Sequence, residues 1–235
     1  MDALTRIAAE PSEAALFLDV DGVLAPIVPN PEDASVPPET RSELLRLAKK
    51  YALVACITGR TGEFAASIVG VDELRYVGQH GLELHPEASR WSRRVHGFAD
   101  AHPWEWQERK PLTVAFHYRL AADHEAARAT LEDVARDALA AGLRTKWGRM
   151  VLEVVPPIDA SKGTAVRELL ATTGLRRALY AGDDVTDLDG FDALDGLETA
   201  VRVAVVSAEG PSDLGERADL IVGSTQAFRE LLEQL

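Results

Sequence analysis

The fold of this chain is decided by the stretch AALFLDVDG, residues 14–22, in which an apolar run ends at two acids and a glycine. Five consecutive apolar residues are typical of a strand buried on both faces of a parallel sheet. The acids that follow would lie at the edge of that sheet, where open α/β folds bind their ligands. Because side chains at i and i+2 of an extended segment point to the same side, Asp19 and Asp21 are expected to share one surface.

Paired carboxylates at such an edge suit two kinds of chemistry. Their oxygens are hard ligands for Mg²⁺, and a cation or a proton would relieve their mutual repulsion. One acid can also attack a substrate while the other exchanges a proton. A strand that merely ends in an acidic turn gives the same pattern, so Asp19 and Asp21 alone leave the function undecided.

The composition argues against several classes of protein. The chain has 235 residues, enough for one α/β domain with a smaller second one, and its net charge is −13. Such an acidic chain is not expected to bind nucleic acid or an anionic membrane. The one cysteine, Cys56, cannot form an internal disulfide, and no apolar run is long enough to span a bilayer or to form a secretion signal. We therefore expect a cytoplasmic protein that is monomeric or weakly oligomeric.

Apolar strands alternate with amphipathic helices along most of the chain, a pattern that predicts a Rossmann-like parallel sheet with helices on both faces. The predicted strands lie near residues 15–20, 52–58, 75–78, 178–183, 201–206 and 219–222. The predicted helices lie near residues 38–50, 61–69, 161–173, 186–194 and 225–234.

One segment, residues 84–158, breaks this alternation. It carries all four tryptophans, a β-rich run at 112–118, a long helix near 123–141 and a hairpin around Gly148. We therefore expect this segment to form an inserted α/β domain. The remaining residues, 1–83 and 159–235, are expected to form the core domain.

Two further positions of the predicted core are candidate functional residues if Asp19 belongs to a functional site. The second strand ends at Thr58-Gly59-Arg60, which places a hydroxyl and backbone N–H groups at a helix start that favours an anion. A threonine there is also an ordinary helix cap. Lys162 is expected in the first turn of another helix, where the helix dipole disfavours a cation by roughly 0.3–1 kcal/mol. Interaction with Asp19 and a bound phosphate would explain this lysine, although solvated lysines occur there too.

A fourth strand end repeats the acidic pattern. The run Leu179-Tyr180-Ala181 leads into Gly182-Asp183-Asp184, and Asp187 follows one helical turn later. If the strands are parallel, both acid-bearing ends lie on the same edge of the sheet. This convergence favours a functional site over turn chemistry.

Taken in order, these motifs resemble those of the haloacid dehalogenase superfamily of phosphohydrolases. The resemblance implies that Asp19 is the nucleophile, which forms an aspartyl-phosphate, and that Asp21 serves as the acid and then the base. It also implies that Thr58 and Lys162 hold the phosphoryl oxygens. Phosphoryl transfer needs an in-line nucleophile and cations around the transferred group, so this assignment agrees with the residue chemistry.

The same resemblance implies a bound Mg²⁺. Its ligands would be the Asp19 carboxylate, the backbone carbonyl of Asp21 and the Asp183 carboxylate. Asp184 and Asp187 would support them.

The spacing of the motifs indicates where a cap domain is inserted. Residues 19–58 suffice only for a loop, one helix and one strand, whereas residues 58–162 include the mixed segment 84–158. This spacing resembles superfamily members with an α/β cap between the second and third motifs. Such a cap closes over the site, excludes water and selects the leaving group.

Within that subclass the chain resembles trehalose-6-phosphate phosphatases, and the resemblance covers nearly the whole sequence. The segments that carry it are LAPI (24–27), TGR (58–60), GQHGLE (78–83), Lys110 with HYR (117–119), GRMVLEVVP (148–156) and TDLDGF (186–191). By this resemblance Lys110, Arg119 and Glu153 are cap residues that would bind sugar hydroxyls. Substrate binding would also involve Gly59, Arg60 and, near the core–cap boundary, His80. Without the family pattern, the sequence favours solvated charges for Lys110 and Arg119, an outward strand position for Glu153 and a loop histidine for His80.

Three departures from the family pattern weaken the prediction of the substrate more than the prediction of the reaction. Val23, Gln79 and Leu188 replace residues that the family usually has at these positions, but none of them removes a catalytic group. Another phosphorylated disaccharide or pseudo-disaccharide therefore remains an alternative substrate. A catalytically silent sugar-phosphate-binding protein remains a second alternative, and a phospho-signalling receiver domain is disfavoured because it would leave the inserted segment unexplained.

Overall fold

The computed structural model describes residues 2–28, 30–148, 150–206 and 212–235. The chain divides into two compact units. Residues Met1–Gly81 and Ala160–Leu235 form the first, called here the parallel-sheet unit, and Leu82–Asp159 form the second, the inserted unit. The described helices include none with the length and apolarity needed to cross a bilayer.

The strands of both units are numbered in chain order. They are β1 (Ala14–Leu18), β2 (Leu53–Ile57), β3 (Arg75–Val77), β4 (Gln107–Arg109), β5 (Val114–His117), β6 (Arg144–Gly148), β7 (Val151–Val155), β8 (Arg177–Gly182), β9 (Thr199–Val205) and β10 (Leu220–Val222). The α-helices are α1 (Ala3–Ala9), α2 (Pro38–Lys50), α3 (Gly62–Val69), α4 (Ala88–Ala101), α5 (His124–Ala140), α6 (Lys162–Thr173), α7 (Leu188–Asp192), α8 (Ser212–Glu216) and α9 (Thr225–Leu232).

The sheet of the parallel-sheet unit has the strand order β10-β9-β8-β1-β2-β3, and all neighbouring strands run parallel. Every residue of β1 is buried, as its continuous apolar sequence requires. Leu18, its last residue, pairs with Cys56 on β2 and with Ala181 on β8. This register brings the carboxyl ends of three adjacent strands to one edge of the sheet.

Helix starts at this edge are fixed by side-chain caps. The Thr61 hydroxyl accepts a hydrogen bond from the Phe64 N–H at the start of α3. Ser161 and Thr164 form a reciprocal capping box at the start of α6, so Lys162 is the first residue of that helix.

The inserted unit contains an antiparallel sheet with the order β4-β5-β7-β6. One face packs against α4 and α5 through an apolar core that includes Val95, Phe116, Leu131 and Leu152. The opposite face is polar, because side chains alternate along each strand. A row of paired residues crosses that face: Glu108, Ala115, Glu153 and Lys146.

The predicted fold class is confirmed, while several elements differ from the sequence expectation. Helices α1, α4 and α8 and strand β4 were not predicted, although apolar residues at 91, 95, 98 and 99 give α4 a helical period. The helix predicted near 186–194 is a 3₁₀ turn at Val185–Asp187 followed by the short α7. The tight turn forms because the Asp184 and Asp187 side chains bond to neighbouring backbone N–H groups.

Candidate active site

The predicted core motifs meet at the carboxyl edge of the parallel sheet. Asp19 follows β1, Thr58 follows β2 and Asp183 follows β8, and these three strands are neighbours. The Asp19 N–H donates to the carbonyl of Ala181 at 3.0 Å, which extends the ladder to the site itself. The chain therefore brings acids from distant sequence positions together through sheet topology alone.

Lys162 lies between two buried carboxylates. Its Nζ is 2.7 Å from Asp19 Oδ2 and 2.7 Å from Asp187 Oδ1. The Lys162 and Asp187 side chains are 2% and 0% exposed, so both charges are removed from water. The expected interaction of Lys162 with Asp19 is present, and it accounts for a lysine placed against the helix dipole.

Asp187 is held by four hydrogen bonds. Its Oδ1 accepts from Lys162 Nζ and from the Tyr180 hydroxyl, both at 2.7 Å. Its Oδ2 accepts from the backbone N–H groups of Asp183 and Asp184, both at 3.1 Å. Both oxygens are thus committed to protein donors, which suits Asp187 to the supporting role that the sequence predicted.

Burial and the crowding of like charges raise the pKa values of two acids in this cluster. Burial raises the pKa of Asp19 to about 8, because the one ammonium group of Lys162 is shared with Asp187 and cannot compensate fully. Burial and the nearby Asp187 raise the pKa of Asp183 to about 7.

The pKa values of the other two buried groups, Lys162 and Tyr180, are shifted in the direction that keeps both groups protonated. Burial alone would lower the pKa of Lys162, but Asp19 and Asp187 outweigh it and raise that pKa above its ordinary value. Burial, followed by Asp187, raises the pKa of Tyr180 well above its usual range, so the phenol stays a donor.

Asp19 and Asp183 could hold a hard divalent cation, while Asp187, whose oxygens already accept four hydrogen bonds, lies beside them. Asp19, Asp183 and Asp187 each place a carboxylate oxygen within 4.8 Å of the others. A cation there would favour the charged forms of Asp19 and Asp183, the two acids whose pKa values burial raises. Gly22 leaves the space that the Asp183 carboxylate fills, since a Cβ at Gly22 would lie 1.9 Å from Asp183 Oδ2.

Asp21, the predicted acid and base, is paired with Arg60. Arg60 Nε is 2.6 Å from Asp21 Oδ2, and Arg60 Nη2 is 2.6 Å from Asp21 Oδ1. The guanidinium also lies over the Phe64 ring, 5.0 Å from its centroid. The sequence predicts that Arg60 binds substrate but does not predict this bidentate contact, because nothing in the local pattern links residues 39 positions apart.

Thr58, Gly59 and His80 form a second compact group at the same edge. Thr58 is buried, and its hydroxyl accepts from the Arg60 N–H at 3.2 Å. The N–H groups of Gln79 and His80 donate to the carbonyls of Arg60 and Thr58. A Cβ on Gly59 would lie 2.7 Å from the His80 ring, so the glycine makes room for the imidazole. Gln79 and His80 both have left-handed backbone, with φ of 50° and 53°.

The predicted sugar-binding residues belong to the inserted unit. Lys110 Nζ is 3.6 Å from Glu153 Oε1, which also accepts from the Thr113 hydroxyl at 2.9 Å. Arg119 is exposed in the turn after β5, and no hydrogen bond or ion pair within the described ranges joins it to this pair. Arg149, part of the segment that carries the family resemblance, lies outside the described residues.

The family follows from comparison with known proteins. The sequence matches the family model described as trehalose-phosphatase over residues 17–107 and 106–220. The chain belongs to the trehalose-phosphatase family. The family resemblance predicted from the motifs is thereby confirmed.

Two curated relatives from this family show how far the likeness extends. A probable trehalose-phosphate phosphatase of Sinorhizobium fredii is 31% identical and covers 100% of this chain and 92% of that protein. Probable trehalose-phosphate phosphatase 2 of rice, Oryza sativa subsp. japonica, is also 31% identical and covers 85% of this chain and 63% of that protein. The chain spans less than two thirds of the length of most of the first relatives that it matches.

Solved structures agree on the architecture. The structure of the trehalose-6-phosphate phosphatase of Aspergillus fumigatus superimposes with a TM-score of 0.67 over 98% of this chain and 95% of that chain, at 22% identity. At this identity the likeness shows the fold alone, which is the predicted parallel-sheet α/β core with an inserted α/β unit.

Proposed function

We propose that the protein is a Mg²⁺-dependent phosphatase that hydrolyses trehalose 6-phosphate to trehalose and phosphate through an aspartyl-phosphate intermediate. The observation that carries the reaction is the buried Asp19–Lys162–Asp187 cluster, with Asp183 beside it. The substrate assignment is supported by family membership and by the names of the relatives.

In the first step an oxygen of Asp19 attacks phosphorus, and the bond from phosphorus to the sugar oxygen breaks. Lys162 is placed to hold a phosphoryl oxygen while it contacts Asp19. Asp21 gives its proton to the departing alkoxide. To reach that oxygen Asp21 must give up at least one of its two bonds to Arg60.

In the second step Asp21 takes a proton from water, whose oxygen attacks phosphorus. Inorganic phosphate leaves, and the Asp19 carboxylate is restored. Mg²⁺, held by the carboxylates of Asp19 and Asp183 and by the backbone carbonyl of Asp21, would supply positive charge against the phosphoryl oxygens.

The inserted unit is proposed to select the sugar. Lys110 and Glu153 lie side by side, and Arg119 lies in an exposed turn, so each can offer charged hydrogen bonds to hydroxyl groups. The backbone at Gly59 and the side chains of Arg60 and His80 are proposed to complete substrate binding in the parallel-sheet unit. We expect the protein to act in the cytoplasm, as its composition predicts.

The test is phosphate release from a substrate panel in the presence of Mg²⁺. The panel contains trehalose 6-phosphate, sucrose 6-phosphate, glucose 6-phosphate, mannosyl-3-phosphoglycerate and p-nitrophenyl phosphate. We expect kcat/KM for trehalose 6-phosphate to exceed each other sugar phosphate at least about tenfold, the effect of one well-placed hydrogen bond. A higher kcat/KM for another disaccharide phosphate would overturn the substrate assignment. Failure to hydrolyse any of these esters, or full activity after exhaustive chelation, would overturn the proposed reaction.

A further inference from the structure

Tyr180 is fully buried and lies beside the site. The sequence gives no functional role to this residue. It lies on β8, where its neighbours Leu179 and Ala181 point into the apolar core on the opposite side of the strand. Its ring packs edge-on against Phe191, with 5.9 Å between centroids. Its hydroxyl is 2.7 Å from Asp187 Oδ1.

The hydroxyl of Tyr180 and the ammonium of Lys162 bind the same oxygen of Asp187. Lys162 Nζ spans from this oxygen to Asp19 Oδ2, with 2.7 Å on each side. A chain of three hydrogen-bonded contacts therefore leads from Tyr180 through Asp187 and Lys162 to Asp19. The direction in which Asp187 presents Oδ1 sets where the ammonium lies.

The ring and the hydroxyl of Tyr180 have separable roles. The ring fills space: a Cβ on Gly190 would lie 2.3 Å from ring carbon Cζ, so this glycine admits the ring. A phenylalanine would fill the same space, and therefore packing alone does not require the hydroxyl. The hydroxyl adds the second donor on Asp187 Oδ1.

We propose that Tyr180 is a positioning residue for phosphoryl transfer, whose hydroxyl fixes Asp187 so that Lys162 is held against Asp19. This inference rests on the proposed function and adds a residue to it. Without the hydroxyl, Lys162 is the one donor to Asp187 Oδ1 among the described residues, while Oδ2 stays bound to the backbone N–H groups of Asp183 and Asp184. The carboxylate can then turn about its Oδ2 anchor and draw the ammonium away from Asp19. The reaction loses alignment, while the remote parts of the substrate keep their contacts.

The test compares Tyr180→Phe with Tyr76→Phe. Tyr76 lies on β3 of the same sheet, and its hydroxyl donates to the carbonyl of Val71 at the same distance, 2.7 Å. Each substitution removes one hydroxyl and one hydrogen bond from a part-buried or buried tyrosine. Only Tyr180 is connected to Lys162.

We expect Tyr180→Phe to lower kcat about tenfold with KM changed by less than about threefold, because misalignment at the reacting atoms acts mainly on the chemical step. The loss should be similar for trehalose 6-phosphate and for p-nitrophenyl phosphate. Tyr76→Phe should leave kcat within about twofold of the parent value. Both variants should melt at a similar, slightly lower temperature, since each loses one hydrogen bond.

A double-mutant cycle adds a readout that a purely structural role would not move. In an Asp187→Ala background, Tyr180→Phe should change kcat by less than about twofold, because alanine leaves no oxygen to accept the hydrogen bond from the hydroxyl. If Asp187→Ala does not fold, the comparison of the two tyrosine variants still decides the matter.

The outcomes separate this inference from the proposed function. Equal kcat values for Tyr180→Phe and Tyr76→Phe, in a parent protein that hydrolyses phosphate esters, would overturn the role of Tyr180 alone. A rise in KM without a change in kcat would do the same. Failure of the parent protein to hydrolyse any ester would overturn the proposed function and this inference with it.

Discussion

Gly22→Ala is the substitution whose effect on the site follows most directly from geometry. Gly22 has φ of +74°, and a Cβ there would lie 1.9 Å from Asp183 Oδ2 and 2.3 Å from its Cγ. Gly174 offers a matched control, with φ of +71° and, apart from its chain neighbours, no atom of the described residues within 4 Å of the Cβ that alanine would add. The two substitutions share the backbone strain and differ in the collision with Asp183.

The shared backbone strain lowers the free energy of unfolding, whereas the collision with Asp183 lowers the reaction rate. A left-handed alanine costs roughly 1–2 kcal/mol, so both variants should lose about that much free energy of unfolding. In Gly22→Ala the Asp183 carboxylate must also move by about 1 Å, and a displacement of that size beside reacting atoms costs about a hundredfold in rate. We therefore expect Gly22→Ala to lose about two orders of magnitude in kcat/KM, and Gly174→Ala to keep nearly all of it.

The assay pairs urea denaturation with hydrolysis of p-nitrophenyl phosphate across a Mg²⁺ titration. Gly22→Ala should need more Mg²⁺ for half-maximal activity, because a displaced Asp183 is a poorer ligand. Equal activities for the two alanine variants would refute the argument that Gly22 exists to admit Asp183. A lower stability of Gly22→Ala without any loss of activity would refute it as well.

Three further predictions follow from the site and the inserted unit. Asp19→Asn should reduce turnover to below about 0.1% of the parent rate without unfolding the chain, since an amide is a poor nucleophile; substantial activity in a sample shown by mass spectrometry to be free of deamidation would contradict this. Glu153→Ala should lower kcat/KM for trehalose 6-phosphate about tenfold to a hundredfold and leave p-nitrophenyl phosphate nearly unchanged, because a hydrogen bond to a charged group is worth roughly 1.5–3 kcal/mol. Its control is Glu132→Ala, which removes an exposed ion pair with Arg128 on α5; equal losses for both ester substrates would return Glu153 to a structural role. The raised pKa values of Asp19, about 8, and Asp183, about 7, mean that the folded metal-free protein keeps protons that the unfolded chain has released. Their stabilising contribution is complete below about pH 4 and is lost as the pH rises to about 8, so Mg²⁺ should raise the melting temperature more at pH 8 than at pH 5; equal shifts at both pH values would count against this assignment.

The core of the site was predictable because it depends on strand ends. Each acid-bearing motif follows an apolar run, and parallel strands deliver their carboxyl ends to one edge whatever the intervening sequence. That rule places Asp19 and Asp183 near each other without any knowledge of side-chain conformation. The first turn of α6 likewise identified Lys162 as a residue whose charge needed a partner.

Contacts made by side chains across the fold were not predictable. The pairing of Arg60 with Asp21 depends on rotamers and on the register of neighbouring strands, which leave no local pattern. The hydrogen bond from Tyr180 to Asp187 is hidden for a similar reason, because a tyrosine in an apolar strand suggests only packing. In the inserted unit α4 was not predicted, although its apolar spacing is helical.

The position of β1 in the middle of the sheet also bears on how the protein is synthesised. One of its neighbours, β2, follows soon after it in the chain, but the other, β8, begins only at residue 177. At about 5–20 residues per second, a ribosome needs roughly 8–30 s to make the residues between β1 and β8. During that time the apolar strand AALFL keeps one edge without its final partner, and such edges are where nascent chains aggregate. The inserted unit is made within this interval, so its length adds to the time that β1 waits for its second neighbour.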